Sequence, residues 1–154
     1  MREQAIKTAR IRHLKLNPPL TVQSGTRTSD VISQMRKARL TCILICRGEQ
    51  CIGIFTERDF LSRVLVKKAN TSAPIDEWMS PDPRTLTVDD TLERAVQIMH
   101  EFGYRNIPLV DQKGHCAGLV QIRNVIDFLA ELYPQEVMNR PPRDNQKFSA
   151  PDGA

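Results

Sequence analysis

The chain has 154 residues, of which 40% are hydrophobic and 26% are charged, and its net charge is +4. This balance is typical of globular proteins and excludes a largely disordered chain. No apolar run approaches the roughly 18 residues that cross a bilayer, and the N-terminus lacks the apolar core of a secretory signal. We therefore expect a cytoplasmic protein.

The first segment, residues 1–14, is basic. The cations of this stretch and the residue after it are Arg2, Lys7, Arg10, Arg12 and Lys15. Such a run is able to contact nucleic acid or an acidic membrane, but no aromatic side chains lie between the cations to stack on bases. We expect a solvated helix face with neither partner. A nucleic-acid-binding protein is one functional class, and only the charge favours it. Salt-dependent binding to DNA or RNA would reveal it.

Residues 15–70 form the first predicted unit. Its elements are an extended lead-in at residues 19–22, a helix at 30–38, strands at 42–46 and 51–55, and a helix from about Arg58 to Lys68. The four residues between the strands, RGEQ, are typical of a hairpin turn. A polar linker that contains proline, residues 71–78, follows.

Residues 79–133 form the second predicted unit. Its elements are a lead-in at residues 84–88, a helix at 90–103, strands at 107–110 and 116–120, and a helix at 123–132. Asp90 and Glu93 have the spacing of a capping box, and Gly103 suits the helix C-cap. The apolar stripe of that helix is predicted to contain Leu92, Ala95, Val96 and Met99. The tail, residues 134–154, is rich in proline and is expected to be extended or flexible.

The two units repeat one another. Residues 86–110 resemble residues 22–46 at an offset of 64, and residues 116–126 resemble residues 51–61 at an offset of 65. Each unit reads β-α-β-β-α, and a unit this small cannot bury both faces of its sheet alone. We therefore predict an α/β (α+β) fold in which two repeats pack sheet to sheet with pseudo-two-fold symmetry, leaving two clefts between them. The apolar runs at 42–46 and 107–110 are predicted strands that are covered on both faces.

Enzyme and metal signatures are absent from the sequence. It contains no G-x-S-x-G, H-E-x-x-H or Walker motif. The cysteines Cys42, Cys46, Cys51 and Cys116 form no C-x-x-C pair and have no histidine at zinc-ligand spacing. We expect buried free thiols in a reducing compartment, surface histidines, no metal site and no catalytic residues.

The most informative segment is GIFTERD, Gly53 to Asp59, where a predicted strand gives way to a helix. Thr56 is placed to cap that helix, with Asp59 in its first turn, which is a purely structural interpretation. The same geometry also suits ligand binding, because a carboxylate and a hydroxyl can hold a ribose diol while free N–H groups favour a phosphate. Arg58, between them, is able to reach that phosphate.

The pattern Gly-apolar-apolar-Thr-x-x-Asp resembles the CBS domain. MSPDPRTLTVDDTLERAVQIM resembles the start of a CBS repeat and GYRNIPLVD its middle. Two copies resemble a CBS pair over roughly residues 15 to 132. The resemblance implies a non-enzymatic sensor that binds AMP, ADP, ATP or a related adenosyl compound as a regulatory ligand and requires no other cofactor.

The resemblance also implies where the ligand sits. The intact cleft is expected to use Thr56, Arg58, Asp59, Met79, Asp82, Arg84, Tyr104, Arg105 and Asn106. Arg84 and Arg105 are candidate phosphate contacts, or simply surface charges. In the second cleft Thr becomes Gln121 and Asp becomes Asn124, so we expect it to bind weakly or to be empty. Its opposite wall is expected near Lys15, Leu20, Leu40, Thr41 and Cys42.

Two functions remain open at this point. The first is a ligand-binding regulatory protein that acts on an unidentified partner protein. The alternative is a structural protein–protein interaction module whose ligand clefts are vestigial. In either case the resemblance implies a homodimer that forms through the helical faces.

Overall fold

The computed structural model describes residues 2–133. The first half contains helix α1 (Arg2–Thr8), a 3-10 turn (Ile11–His13), strand β1 (Thr21–Gln23), helix α2 (Thr28–Ala38), and strands β2 (Cys42–Arg47) and β3 (Gln50–Thr56). Helix α3 begins with one α-helical turn (Glu57–Asp59) and continues as a π-helix (Phe60–Leu65). The second half contains a 3-10 turn (Ile75–Glu77), strands β4 (Ser80–Pro81), β5 (Asn106–Val110) and β6 (Cys116–Gln121), and helices α4 (Leu92–Phe102) and α5 (Ile122–Leu132).

The strands form two sheets. The first has the order β1-β2-β3-β4, with β1 parallel to β2 and the other pairs antiparallel. The second is the antiparallel hairpin β5-β6, and Leu86 adds one parallel bridge to Leu109. The predicted α+β fold of two β-α-β-β-α repeats is confirmed, although the second lead-in forms this single bridge rather than a strand.

Three apolar clusters hold the molecule together. One fills the first repeat around Val31, Ile43 and Phe55, and another fills the second repeat around Leu92, Ile107 and Val120. The third lies between the two sheets, and its residues are Cys42, Leu44, Ile54, Leu119 and Cys116. Because side chains alternate along a strand, β2 contributes Ile43 and Ile45 to one face and Cys42 and Leu44 to the other. This confirms the prediction that its apolar run is covered on both sides.

Helix α4 differs from its prediction at its start and on one face. The N-cap is Thr91, whose hydroxyl accepts a hydrogen bond from the backbone N–H of Arg94 at 3.1 Å. Asp90 instead accepts from the backbone N–H of Thr87 at 2.7 Å, which closes the preceding turn. Val96 is 44% exposed, and Ile98 takes its place on the buried face. Gly103 is the C-cap, as predicted, with φ +67°.

The repeats exchange their leading segments. The N–H of Ile11 donates to the carbonyl of Asp90 at 3.0 Å, and the N–H of Ile75, 64 residues later, donates to the carbonyl of Thr26 at 2.8 Å. Ile11 therefore packs in the core of the second repeat and Ile75 in that of the first. The matching bonds extend the pseudo-two-fold relation to segments in which the sequence shows no repeat.

The basic N-terminal segment is partly held by this exchange. Arg12 forms an ion pair with Asp89, and Arg10 Nη1 donates to the Asp89 carbonyl at 2.7 Å. Two of its cations thus lie against the second repeat. The predicted flexible tail, residues 134–154, lies outside the described residues.

Candidate functional site

The first junction, Thr56–Asp59, is where β3 gives way to α3. The N–H of Thr56 donates to Asp59 Oδ2 at 3.0 Å, and the N–H of Asp59 donates to Thr56 Oγ1 at 3.3 Å. This reciprocal cap satisfies donors that the helix start leaves free. Asp59 is 8% exposed and sits deeper than Arg58, whose side chain reaches solvent.

The other oxygen of Asp59 has partners that the sequence analysis did not predict. Ser80 Oγ donates to Asp59 Oδ1 at 3.2 Å, and Arg63 Nε lies 3.6 Å from the same oxygen. Arg63 also donates to the Met79 carbonyl at 2.8 Å. The i,i+4 spacing of Asp59 and Arg63 is a signal that the sequence offered. The contact with Ser80 depends on the pairing of β4 with β3, which no local pattern shows.

The first junction also includes the beginning of β2. Cys42 is the register partner of Thr56, and the carbonyl of Thr41 accepts from the N–H of Glu57 at 3.0 Å. Burial, with the nearby negative charge of Asp59, raises the pKa of the Cys42 thiol to about 12. Thr41 and Cys42, which the sequence predicts at the wall of the second cleft, thus also adjoin the first junction.

The second junction, Gln121–Asn124, repeats this arrangement without a carboxylate. The N–H of Gln121 donates to Asn124 Oδ1 at 2.7 Å, and Asn124 Nδ2 donates to the Lys15 carbonyl at 3.1 Å. Lys15, which the sequence predicts at the wall of the second cleft, thus contacts this junction. Because Lys15 leads into the first repeat and Ser80 into the second, each junction is in contact with the start of the other repeat.

Arg105 and Asn106 also lie at the second junction. Asn106 Oδ1 accepts from Gln121 Nε2 at 2.9 Å, and the Arg105 carbonyl accepts from the N–H of Ile122 at 2.9 Å. The sequence predicts both residues opposite Asp59, and the structure also brings them into contact with Gln121 and Ile122. In an antiparallel hairpin the first residue of one strand lies beside the last residue of the other.

The remaining predicted residues lie near the two junctions or on the surface. The Arg84 guanidinium carbon is 4.0 Å above the Phe102 ring, and the Tyr104 ring stacks on Phe102 at a centroid distance of 5.6 Å. Arg84 and Tyr104 thus belong to the end of α4, next to Arg105. Asp82 is exposed with φ +46°. Leu20 packs against the core of the first repeat.

The comparison with known protein families decides the identity of this arrangement. The sequence model of the CBS domain matches residues 11–66 and 75–131, which is most of the chain. The chain belongs to the CBS-domain family. The matched segments begin at Ile11 and Ile75, the two residues that open the exchanged leading segments.

Solved structures show the same CBS-pair fold. A CBS domain protein from Pyrobaculum aerophilum complexed with AMP superposes with a TM-score of 0.72 at 21% identity, covering 81% of this chain and 98% of that chain. A CBS domain pair in complex with methylthioadenosine and S-adenosyl-L-methionine gives a TM-score of 0.70 at 19% identity, covering 79% and 99%. At these identities the likeness concerns the fold.

The curated relatives differ in size. A CBS domain-containing protein of Arabidopsis thaliana is 26% identical over 60% of this chain and 17% of its own length. An inosine-5'-monophosphate dehydrogenase of Aquifex aeolicus is 28% identical over 70% of this chain and 22% of its own length. An uncharacterized 17.7 kDa protein of Acidianus ambivalens is 23% identical over 75% of this chain and 70% of its own length. The chain thus spans about a fifth of the length of each of the first two relatives.

Other kinds of site find no support between residues 2 and 133. In this part of the chain no group of three or more His, Cys, Asp or Glu side chains is placed to hold a metal ion. None of its helices is long and apolar enough to cross a membrane. Two cavities of about 460 and 450 Å³ are lined by other residues than Asp59 and Asn124.

Proposed function

We propose that this CBS pair is a non-enzymatic regulatory module that binds one adenosine-containing ligand per chain at the first junction. The observation that carries this proposal is the buried Asp59 carboxylate at a strand-to-helix junction, in contact with Ser80 of the opposite repeat. Related CBS structures in complex with AMP, and with methylthioadenosine and S-adenosyl-L-methionine, support the ligand class.

The ligand is proposed to displace the contact of Ser80 with Asp59. Asp59 then accepts hydrogen bonds from the ribose hydroxyls, while the Thr56 cap keeps the carboxylate in place. Thr41 and Met79 border the same site, and Arg58 provides an exposed cation for a phosphate. Because Ser80 belongs to the second repeat, ligand binding changes a contact between the repeats. That change is the proposed signal to a partner protein.

A panel of AMP, ADP, ATP, methylthioadenosine and S-adenosylmethionine tests this function by thermal shift and calorimetric titration. A ligand at 100 times its Kd raises stability by about 2.7 kcal/mol. Charged hydrogen bonds contribute about 1.5–3 kcal/mol each, so Asp59→Asn should weaken binding roughly ten- to 150-fold. Asn124→Ala is the matched control and should leave affinity unchanged. Unchanged affinity in Asp59→Asn, with a lower melting temperature, would show that Asp59 is only a cap.

The alternative is a structural interaction module with vestigial clefts. Two observations favour it: both oxygens of Asp59 already have partners within the chain, and the second junction has Asn124 in place of a carboxylate. This alternative predicts that no compound of the panel raises the melting temperature of the wild-type protein. In both cases we propose a cytoplasmic homodimer that requires no cofactor.

A further inference from the structure

Three cysteines meet where the two repeats join. Cys46 on β2 and Cys116 on β6 lie with their Sγ atoms 2.7 Å apart, although 70 residues separate them in the chain. Cys51 on β3 is the register partner of Cys46 and completes the group. In the described structure all three are free thiols. Cys42, the fourth cysteine, lies in the same intersheet cluster, and its thiol interacts electrostatically with Cys51.

This thiol group lies at the pseudo-two-fold axis. Gln50 and His115, which are equivalent at the offset of 65, form a bridge with each other. On either side of it the N–H of Cys51 donates to the Gly114 carbonyl at 3.4 Å and the N–H of Cys116 donates to the Glu49 carbonyl at 3.0 Å. A covalent bond between Cys46 and Cys116 would therefore join the repeats at their centre.

A small molecule can reach the pair from solvent. A cavity of about 450 Å³ is lined by both cysteines and by the polar residues Glu49, Asp111 and His115. Cys46 is 3% exposed, whereas Cys116 is only partly buried. Cys116 is thus the thiol that an entering oxidant meets first.

We propose that Cys46 and Cys116 form a reversible disulfide that locks the two repeats together when the protein meets a hydroperoxide. The Cys116 sulfur attacks the peroxide O–O bond, which gives a sulfenic acid and, for hydrogen peroxide, one water. The Cys46 sulfur then attacks the sulfenic sulfur, and its hydroxyl leaves as a second water. Two thiols and one hydrogen peroxide thus yield one disulfide and two waters. A dithiol reductant reverses the bond by exchange.

The reaction is slow at neutral pH and accelerates in alkali. Burial, and hydrogen bonding to Cys46, raise the pKa of the Cys116 thiol far above its usual range. Burial also raises the pKa of Cys51. Because the thiolate is the reactive form, only a small fraction of Cys116 reacts at any moment. The pair therefore responds to sustained oxidation.

Intact-mass and peptide mapping of the full chain, treated with hydrogen peroxide and then alkylated, tests this proposal. We expect a loss of two hydrogens, a Cys46–Cys116 linked peptide, and reversal by dithiothreitol. The oxidised protein should melt roughly 10 °C higher, because the bond closes a long loop of the unfolded chain. Cys42→Ala, which removes the thiol outside the pair, should oxidise like the wild type. Cys116→Ala should show neither the linked peptide nor the melting shift.

Several outcomes would overturn the proposal. They are a disulfide between Cys51 and Cys116, a bond between two chains, oxidation beyond sulfenic acid without a disulfide, or no reaction. Mapping of the wild-type protein alone distinguishes these outcomes, so the result does not depend on whether Cys116→Ala folds. Since no adenosine ligand is present in the experiment, the result is independent of the function proposed for Asp59.

Discussion

At the scale of single residues, Asp59 combines two tasks that the sequence presented as alternatives. It closes the helix cap through Oδ2, and it contacts the opposite repeat through Oδ1. The cap uses the oxygen that contacts Thr56 of its own repeat, so the other oxygen is the one that can exchange Ser80 for a ligand hydroxyl. The structural role and the proposed binding role are therefore compatible.

The position of Gly53, next to Met79 at this site, leaves no room for a side chain. A Cβ atom at this position would come within 2.2 Å of Met79 Sδ, whereas a Cβ at the equivalent Gly118 would meet Leu109 Cδ1 at 3.3 Å. Gly53→Ala should therefore displace Met79, which borders the proposed site, and weaken adenosine binding several-fold. Gly118→Ala is the matched control, with little effect on affinity. Calorimetric titration of both variants measures this difference, and equal affinities would show that Met79 does not form the wall of the site.

Cys42 gives a prediction about pH. Its ordinary pKa is 9.0, and in the folded protein burial and Asp59 raise it to about 12. The unfolded chain thus releases this proton first, so the stabilisation is complete below pH 9 and is lost as pH rises toward 12. Between pH 8 and 10 the urea midpoint of the wild type should fall more than that of Cys42→Ala. Parallel decreases in the two proteins would contradict the raised pKa.

At the scale of elements, the repeat pattern and the hairpins were open to prediction from sequence. The apolar runs at 42–46 and 107–110 stand between turn residues and near an amphipathic helix, and these local signals suffice for strands. The hairpin register was also available, and it places Cys42 beside Thr56 and Asn106 beside Gln121.

The exchange of leading segments between the repeats could not be predicted from the local sequence. Residues 9–14 look like a basic helix end, yet Ala9, Ile11 and Leu14 pack in the core of the second repeat. Nothing in a short stretch shows which of two similar cores it enters, since either offers an apolar surface. The contact of Ser80 with Asp59 depends on the same long-range pairing.

Because of this exchange, Ile11 and Ile75 occupy equivalent positions and should contribute similarly to the free energy of unfolding. Both are fully buried, in the second and the first core respectively. Truncation of a buried isoleucine to alanine costs about 2–5 kcal/mol, so Ile11→Ala and Ile75→Ala should destabilise the protein to a similar degree. Ile6→Ala, in the half-buried face of α1, is the control and should cost much less. Urea unfolding measures all three. A negligible effect of Ile11→Ala would mean that the N-terminal segment does not belong to the second core.

At the scale of the whole molecule, the two junctions share one geometry and differ in charge. Both caps close, and both reach across to the start of the other repeat. Only the first junction has a carboxylate, because Asn124 stands where the first repeat has Asp59. A neutral amide forms weaker hydrogen bonds than a carboxylate. The proposed stoichiometry of one ligand per chain follows from this difference.

The outer helices give the last prediction, which concerns assembly. Leu61 and Leu65, four residues apart on the helix after the first junction, are 56% and 52% exposed, and Ile126 on α5 is 54% exposed. Leu61 and Ile126 are equivalent at the offset of 65, so the pseudo-two-fold axis relates two apolar helix faces. Exposed apolar patches of this kind mark protein–protein contacts, and pairing with a second copy would cover both at once.

Light scattering at high micromolar concentration should therefore give twice the chain mass of 17.5 kDa. The double variant Leu61→Glu with Ile126→Glu introduces a charge at the centre of each face and should reduce the mass to that of one chain. When it and the wild type are both measured at a low concentration, their melting temperatures should be the same. Val96→Glu, on the exposed face of α4, is the matched control and should remain dimeric, because Val96 is 44% exposed but lies on neither of these helices. A wild-type protein of single-chain mass at that concentration would contradict dimerisation. A double variant that stays dimeric would show that the copies pair through another surface.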